Sequence, residues 1–356
     1  MHAIRIAGAG PSGLAAAITL AKAGWPVEVF ERNADVGMRF SGDLQGLENW
    51  STKHDVLTDL STFGLEVNFL CVPFSAVTVT DGVNQETYDR GRPLFYLVKR
   101  GSMADSIDQG LKRQALAAGV NIHFSTKLES QDADIIATGP LTDRLNWVDQ
   151  GIVFDTNLPD MAVAMPHDEA GIGGYGYLLI TRGYGCLCTV LFYDLARANE
   201  CFENVKLTSA KLVNLDIRNE RRVGGTASFT IKNRWENGPH RFVGEAAGLQ
   251  DPLWGFGIRY ALWSGYLAAQ SIIQQRSYAQ LAQKAFGNRN RAGVVNRYLW
   301  EKFRHRRNER VVQRIGRSAD PFATLRSFYN FNLLQRLLYP AAKRKFLDKY
   351  PRLESI

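Results

Sequence analysis

Gly8, Gly10 and Gly13 are the residues of this chain whose type and spacing define a chemistry. They follow the pattern G-x-G-x-x-G, with Pro11 and Ser12 filling the gap before the third glycine. Gly8 permits a tight turn, Gly10 lets the backbone approach a pyrophosphate, and Gly13 lets helix and strand pack closely. The free N–H groups at the start of the following helix, and the positive end of its dipole, would then face the phosphates. Glu31 falls where a carboxylate accepts hydrogen bonds from an adenosine ribose, and Arg32 follows it directly. These residues imply a binding site for an adenine dinucleotide.

Such a site needs a strand, a helix and a second strand to hold it. Ile4 and Ile6 mark the first strand, an Ala/Leu-rich run follows Gly13, and Val27–Phe30 reads as the second strand. The fingerprint therefore sits in a complete βαβ unit. A second Gly-rich stretch, Gly171-Ile172-Gly173-Gly174-Tyr175-Gly176, runs into Tyr177–Ile180, a strand, so it lacks a helix to present N–H groups and reads as a hairpin or loop. Further on, Arg241–Glu245 reads as a short buried strand leading through a Gly-rich turn into a helix at 257–274. Arg100 stands just ahead of a helix predicted from about 102 to 118, and Asp134–Ala137 is a strand ending in Thr138-Gly139-Pro140. Residues 32–50 read as loop, about 52–63 as helix, and 67–80 and 86–90 as short strands. Residues 151–235 read as mostly strand, with alternation at 177–180, 186–193 and 227–231.

Arg241-Phe242-Val243-Gly244-Glu245-Ala246-Ala247-Gly248-Leu249-Gln250-Asp251-Pro252-Leu253-Trp254-Gly255-Phe256-Gly257-Ile258 resembles the FAD enzymes that include geranylgeranyl reductases and aromatic hydroxylases. The resemblance is strongest at 4–32 and 241–272, weaker at 94–118 and 133–140, and covers under half of the chain. It implies noncovalent FAD. By this resemblance Glu245, in place of the usual Asp, takes the ribityl-binding position. Asp251 and Pro252 lie beside the isoalloxazine, and Gly255, Phe256 and Gly257 supply backbone N–H contacts. It also assigns Arg100 to a cofactor-contacting arginine, and Thr138 and Gly139 to a strand-end A-T-G element. Tyr175–Gly183 has the spacing of a substrate-cavity strand of geranylgeranyl reductases, which makes Tyr175, Tyr177 and Trp254 candidate cavity residues. Ser41 stands where those reductases tend to carry a cysteine, and 138–144 lacks the Asp-Gly motif usual in the hydroxylases. The sequence names no side-chain acid for catalysis.

Hydrophobic content of 45% and charged content of 22% describe an ordinary globular protein. No apolar run reaches the roughly 18 residues of a membrane span, and the start of the chain almost at the first strand predicts an intracellular protein without a removable leader. Cys71, Cys186, Cys188 and Cys201 have neither metal-ligand nor disulfide spacing, and read as small buried residues; no metal site is expected. Net charge is +8, but 288–352 holds 17 Lys and Arg against 4 Asp and Glu. This basic segment would attract anionic surfaces. Val295, Tyr298, Leu299 and Phe303 share a helical face beside Arg304, Arg306, Arg307, Arg310 and Arg314. Asp320-Pro321 starts a further helix, read as one element through Leu338. Docking on an anionic bilayer and a lid packed on the core with a solvated basic face are both consistent with this pattern. Nucleic-acid binding is disfavoured because no binding motif accompanies the charge.

The expected fold is α/β: a Rossmann-like FAD domain (1–150 and 236–275), an inserted, mostly antiparallel β-rich substrate domain (151–235, joined by part of 65–100), and a basic C-terminal helical segment (276–356). The expected function is an FAD-dependent oxidoreductase transferring hydride between flavin and a hydrophobic or lipid substrate, an isoprenoid among the candidates, with NADPH or a ferredoxin-like protein as reductant. Alternatives are an FAD monooxygenase hydroxylating a small aromatic or secondary metabolite, and a membrane-associated flavin-binding electron relay. The expected location is cytoplasmic, with peripheral attachment to the inner face of the membrane as an option.

Overall fold

The computed structural model describes residues 2–89, 91–140, 147–231 and 233–349, with backbone alone for 304–310 and 349. In chain order the elements are β1 (Ile4–Ala7), α1 (Pro11–Lys22), β2 (Val27–Phe30), β3 (Ser41–Glu48), α2 (Val56–Thr62), β4 (Cys71–Phe74), β5 (Ala76–Thr80), β6 (Gln85–Asp89), β7 (Phe95–Gly101), α3 (Ile107–Ala117), β8 (Asn121–His123) and β9 (Ile135–Ile136). The second half adds β10 (Trp147–Asp155), β11 (Met161–Met165), β12 (Tyr175–Thr181), β13 (Tyr184–Leu191), α4 (Ala198–Leu212), β14 (Arg218–Ala227), β15 (Glu236–Asn237), β16 (His240–Phe242), α5 (Ile258–Ile273), α6 (Tyr278–Gly316), α7 (Pro321–Ser327) and α8 (Leu333–Lys349).

Three sheets organise these elements. The first runs β15-β16-β9-β1-β2-β8, and all its pairings except β15 with β16 are parallel. Buried Ile4, Ile6, Val27, Val29, Ile135 and Ile136 place it in the largest apolar core. A run of small residues in α1, Gly13 and Ala15–Ala17, meets Gly265, Ala268 and Ala269 of α5. The approach is so close that a Cβ on Gly265 would overlap the Ser12 carbonyl. The first turn of α1 is therefore seated on the middle of α5.

The second sheet has order β14-β10-β13-β12-β11-β5-β6 and is antiparallel except where β11 meets β5. The hairpin at 76–89 thus extends the sheet built from 147–227. The third, β3-β7-β4, makes contacts with β13 and β14 through β3.

Four readings of the sequence need correction. Residues 32–50 are not all loop, because β7 recruits 41–48 as a strand despite Gly42 and Gly46. Residues 198–212 form α4, whose buried Cys201, Phe202, Val205, Thr208 and Ser209 follow a helical period within a stretch expected to be strand. The strand expected at 227–231 ends at Ala227. The helix starting at Asp320, whose carboxylate caps the Ala323 N–H at 2.8 Å, stops at Ser327; Phe331 has φ +49° in the break before α8.

Candidate cofactor and substrate site

The turn between β1 and α1 separates its three glycines by role. A Cβ on Gly8 (φ +103°) would overlap the Ala137 carbonyl, and one on Gly13 would overlap the Gly8 carbonyl. These two exist so that the loop can lie against the end of β9, next to Thr138 and Gly139. Gly10 differs: nothing lies within 4 Å of its Cβ position. It is the N-cap of α1, no side chain caps that end, and Pro11 occupies the first turn. Open space, an uncapped helix start and the dipole's positive end together make a cradle for an anionic phosphate group.

Glu31, 9% exposed at the end of β2, accepts from the Ala9 N–H at 3.0 Å and from the backbone and side-chain N–H groups of Asn33 at 2.9 and 2.8 Å. Its carboxylate is thereby fixed beside the glycine turn. Arg32 is exposed next to it. Ser12 has a different task, since its Oγ would meet a Cβ on Gly244 at 2.8 Å; it packs α1 against the turn carrying Glu245.

Glu245 itself pairs with Arg39 at 2.8 Å, and the other arm of Arg39 donates to the Thr226 carbonyl. The extra methylene of Glu over Asp lets the carboxylate reach across to the loop before β3. Arg100 is buried in a two-point ion pair with Asp108 (2.9 and 3.0 Å), stacks on Phe40 and donates to Gln45 at 3.3 Å. Its charge is balanced by Asp108, and these contacts hold it in the wall formed by β3 and α3.

The loop 251–257 is held by its own contacts. Asp251 accepts from the N–H groups of Leu253 (3.1 Å) and Trp254 (3.2 Å) and from the Tyr329 hydroxyl (3.1 Å). Burial raises its pKa to about 6. Pro252 packs against Gly293 of α6. Gly255 (φ +77°) spends its N–H on the Asp251 carbonyl, which leaves Phe256 and Gly257, the uncapped N-cap of α5, as the amides of this loop without a partner among the described residues. The Phe256 ring lies against Gly46 of β3 and edge-on to Trp50. Gly46, Glu48, Asp251, Phe256 and Tyr329 line a cavity of about 10 Å³, roughly the room one water requires.

The second sheet turns one face toward this loop and β3. Register places Tyr175, Val190, Asp149 and Gly225 in one row, and Tyr177, Cys188, Gly151 and Val223 in the next. Tyr175 donates to the Trp254 carbonyl at 2.6 Å, and its ring lies 6.2 Å from that of Tyr177 and 6.4 Å from that of Trp254. The three candidate cavity residues are therefore neighbours. Cys186 and Cys188 share the face, with their sulfurs 3.6 Å apart, and burial drives the Cys188 thiol upward in pKa, away from thiolate chemistry. Ser41 lies exposed at the start of β3. The Gly171–Gly176 stretch is a turn into β12, and its glycines let it lie on the Val190 carbonyl.

Sequence reasoning missed two residues here. Asp43, 2% exposed on β3, accepts the Ser41 N–H at 3.0 Å through Oδ1, while its buried Oδ2 has no hydrogen-bond partner. Asp149, 9% exposed, stands in the same row as Tyr175. Burial, then the charge of Asp43, raises its pKa to about 7. The signal was an acidic residue in inward phase with Trp147, Gly151 and Val153 of an apolar strand.

Comparisons with known proteins agree with this architecture. Residues 6–56 match the family model of an NAD(P)-binding Rossmann-like domain. No curated protein sequence matches the chain. Among solved structures it is similar to a geranylgeranyl bacteriochlorophyll reductase-like protein from Thermoplasma acidophilum (TM-score 0.67, 16% identity, 99% of this chain and 98% of that one). It is also similar to a flavin-dependent brominase (0.61, 15%, 98% and 99%) and to 2-methyl-3-hydroxypyridine-5-carboxylic acid oxygenase (0.54, 17%, 96% and 96%). The chain has the mixed α/β fold of this flavoprotein group: a Rossmann-like domain, a large mainly antiparallel sheet and C-terminal helices. Residues 141–144, which bear on the missing Asp-Gly motif, lie outside the described residues, as do the side chains of Arg304, Arg306, Arg307 and Arg310.

Proposed function

We propose that the chain binds FAD noncovalently and acts as an oxidoreductase that reduces a hydrophobic substrate, with isoprenoid lipids as the class to try first. The observation that carries the reading is the open position at Gly10 on an uncapped helix start, beside the fixed Glu31 carboxylate. The residues present fit the cofactor: the 10–13 backbone for the pyrophosphate, Glu31 for the ribose, and the Phe256 and Gly257 amides for the far end. When bound, FAD supplies a two-electron carrier. The protein's own contribution is to orient it between two helix starts and to keep water from the apolar face formed by Leu44, Leu179, Trp254 and Phe256. NADPH or a ferredoxin-like protein would reduce it.

The test is flavin reoxidation. Protein loaded with FAD is reduced anaerobically with dithionite and mixed with a geranylgeranyl lipid. Recovery of the oxidised flavin band with loss of substrate double bonds supports the reading. Recovery only on admitting air moves the search to O₂-dependent hydroxylation, and failure to bind FAD removes the cofactor assignment.

A lipid substrate gives the basic C-terminal segment a role as a peripheral contact with an anionic membrane on the cytoplasmic side. No helix among the described residues is long and apolar enough to cross a membrane. Yet Leu333, Leu334 and Leu337 on α8 are 75%, 61% and 71% exposed, and Arg336, Arg344 and Lys345 are exposed on the same helix. Its other face buries Gln335, Ala342 and Phe346. Exposed leucines flanked by cations suit an anionic lipid interface. Phe303, on the apolar face of α6 read from the sequence with Val295, is 49% exposed.

A further inference from the structure

We infer that Tyr329 is a positioning residue of the cofactor site. Its hydroxyl, supplied by the C-terminal helical segment, locks the loop whose Phe256 and Gly257 amides are assigned to the far end of FAD. This rests on the FAD reading above.

The loop is folded around one residue. Asp251 accepts from the Leu253 and Trp254 amides through its carboxylate and from the Gly255 amide through its carbonyl, while its own N–H donates to the Phe256 carbonyl at 3.0 Å. Gln250 closes the turn by donating to the Gly255 carbonyl. All these bonds lie within 250–256, so they set the shape of the loop and not its place in the molecule. Among the described residues, the hydrogen bond that reaches the Asp251 carboxylate from outside comes from the Tyr329 hydroxyl, at 3.1 Å. That hydroxyl in turn accepts from the indole N–H of Trp50, two residues beyond β3, at 3.2 Å. One buried hydroxyl therefore ties the loop to the end of β3 and to the C-terminal segment. The Tyr329 side chain also lines the small cavity beside Gly46, Asp251 and Phe256.

Tyr329 is itself held from behind. It stands in the turn between α7 and α8, where the Phe328 carbonyl accepts from Asn296 of α6 at 2.8 Å and from Gln335 of α8 at 2.9 Å. Phe322, Leu325 and Phe328 join the apolar cluster that contains Trp50, Trp254 and Phe256. α6 braces the other side of the loop. Pro252 packs on Gly293, the wholly buried Arg297 donates to the Leu253 carbonyl at 3.4 Å, and Trp300 meets Trp254 edge-on. The segment read from the sequence as a lid or a membrane contact is thus also a wall of the cofactor site.

Without the Tyr329 hydroxyl, Asp251 Oδ2 would keep only the Trp254 amide at 3.2 Å. A buried carboxylate oxygen short of donors is costly and draws in others. The unpaired Phe256 and Gly257 amides are the next donors along the loop, and turning them inward would take them from the cofactor. Tyr329 acts through Asp251 by making that rearrangement unnecessary.

The experiment uses the full chain. Tyr329→Phe removes the hydroxyl and keeps the ring. It should raise the FAD dissociation constant about tenfold in a fluorescence titration, the loss expected for one hydrogen bond to a charged group. It should also move the flavin midpoint potential to a more negative value, because displaced amides stabilise the reduced anion less. In the apoprotein, hydrogen exchange should speed up in a peptide covering 251–257 and stay unchanged in one covering 4–22. Asp251→Ala tests the route: adding Tyr329→Phe to it should leave the dissociation constant within about twofold, since the hydroxyl then has no carboxylate to act on. Effects that multiply in the double variant overturn the route through Asp251. Faster exchange with unchanged dissociation constant and potential makes Tyr329 a structural contact only and overturns the inference. If Tyr329→Phe does not fold, Asn296→Ala, which frees the turn at the Phe328 carbonyl, should act in the same direction by a smaller factor, and no change there overturns the inference. Should wild type fail to bind FAD, the cofactor reading falls and takes the positioning role with it, while exchange in the apoprotein still decides whether Tyr329 locks the loop.

Discussion

Asp149→Asn should make the apoprotein relatively more stable as pH rises, because the wild-type carboxyl is forced to ionise in an unfavourable place. In the unfolded chain it titrates near its ordinary value of 3.8, and in the folded protein burial lifts this to about 7. Below pH 3.8 both states hold the proton. Between 3.8 and 7 the folded state keeps a proton that the unfolded chain has lost, so stability falls as pH rises. Above 7 the loss is complete. A difference of about three units corresponds to about 4 kcal/mol. Asparagine does not titrate. An imperfectly bonded buried amide would cost about 1–3 kcal/mol at every pH, shifting the whole variant curve without giving it a slope. The quantity to measure is therefore the wild-type minus variant free energy from urea unfolding at intervals from pH 4 to 8.5. It should decline by about 4 kcal/mol, chiefly between pH 4 and 7. Asp251, raised to about 6, titrates in both proteins and cancels. Curves that stay parallel within about 0.5 kcal/mol, the scatter of a neutral surface change, would refute the argument.

The glycine turn separates binding from folding. Gly10→Ala points a methyl into open space and should raise the FAD dissociation constant at least tenfold in a fluorescence titration, with apoprotein stability held within about 0.5 kcal/mol. Gly13→Ala and Gly265→Ala overlap backbone carbonyls and should instead cost about 1–3 kcal/mol in urea unfolding. Asp251→Ala removes the acceptor for two loop amides and the Tyr329 hydroxyl, and should lower unfolding free energy by about 1–3 kcal/mol even without FAD. An effect confined to FAD-loaded protein would show the carboxylate serving the cofactor. Replacing Leu333, Leu334 and Leu337 with serine should abolish co-sedimentation with vesicles containing anionic phosphatidylserine while leaving the melting temperature unchanged. Loss of a dimer in place of vesicle binding would assign the leucines to a second copy of the chain.

The parts of the fold legible in the sequence are those in which local pattern and tertiary context agree. The βαβ unit at 4–30 announces itself because its turn needs glycine at two positions for packing and leaves the third, Gly10, facing open space. The α5 start is visible for the same reason, since Gly255 takes a positive φ. β3 was hidden because Ser-Gly-Asp-Leu-Gln-Gly-Leu-Glu is poor strand material, and its pairing partner β7 lies some fifty residues later. Gly46 is required there by the Phe256 ring rather than by a loop. α4 was readable in principle, because Cys201, Phe202, Val205 and Thr208 keep a helical period, but the alternating strands before it set the wrong expectation.

Candidate cofactor residues and candidate chemical residues differ in how far sequence can reveal them. Gly8, Gly10, Gly13 and Glu31 work through backbone geometry within one supersecondary unit, so their spacing is their signature. Asp43 and Asp149 are 106 positions apart, and each alone is an ordinary acidic residue. Register puts Asp149 beside Gly225 and Val190, in the row of Tyr175, and Asp43 falls where the pairing of β3 is irregular between Ser41 and Leu44. Arg39, whose charge opposes the rise at Asp149, pairs with Glu245, longer than the Asp usual in the resembling enzymes. Shortening Glu245 to Asp should loosen Arg39 from it, place more positive charge beside Asp149, and move the titration of that buried carboxyl to lower pH, a shift readable as a smaller decline of stability with pH in urea unfolding.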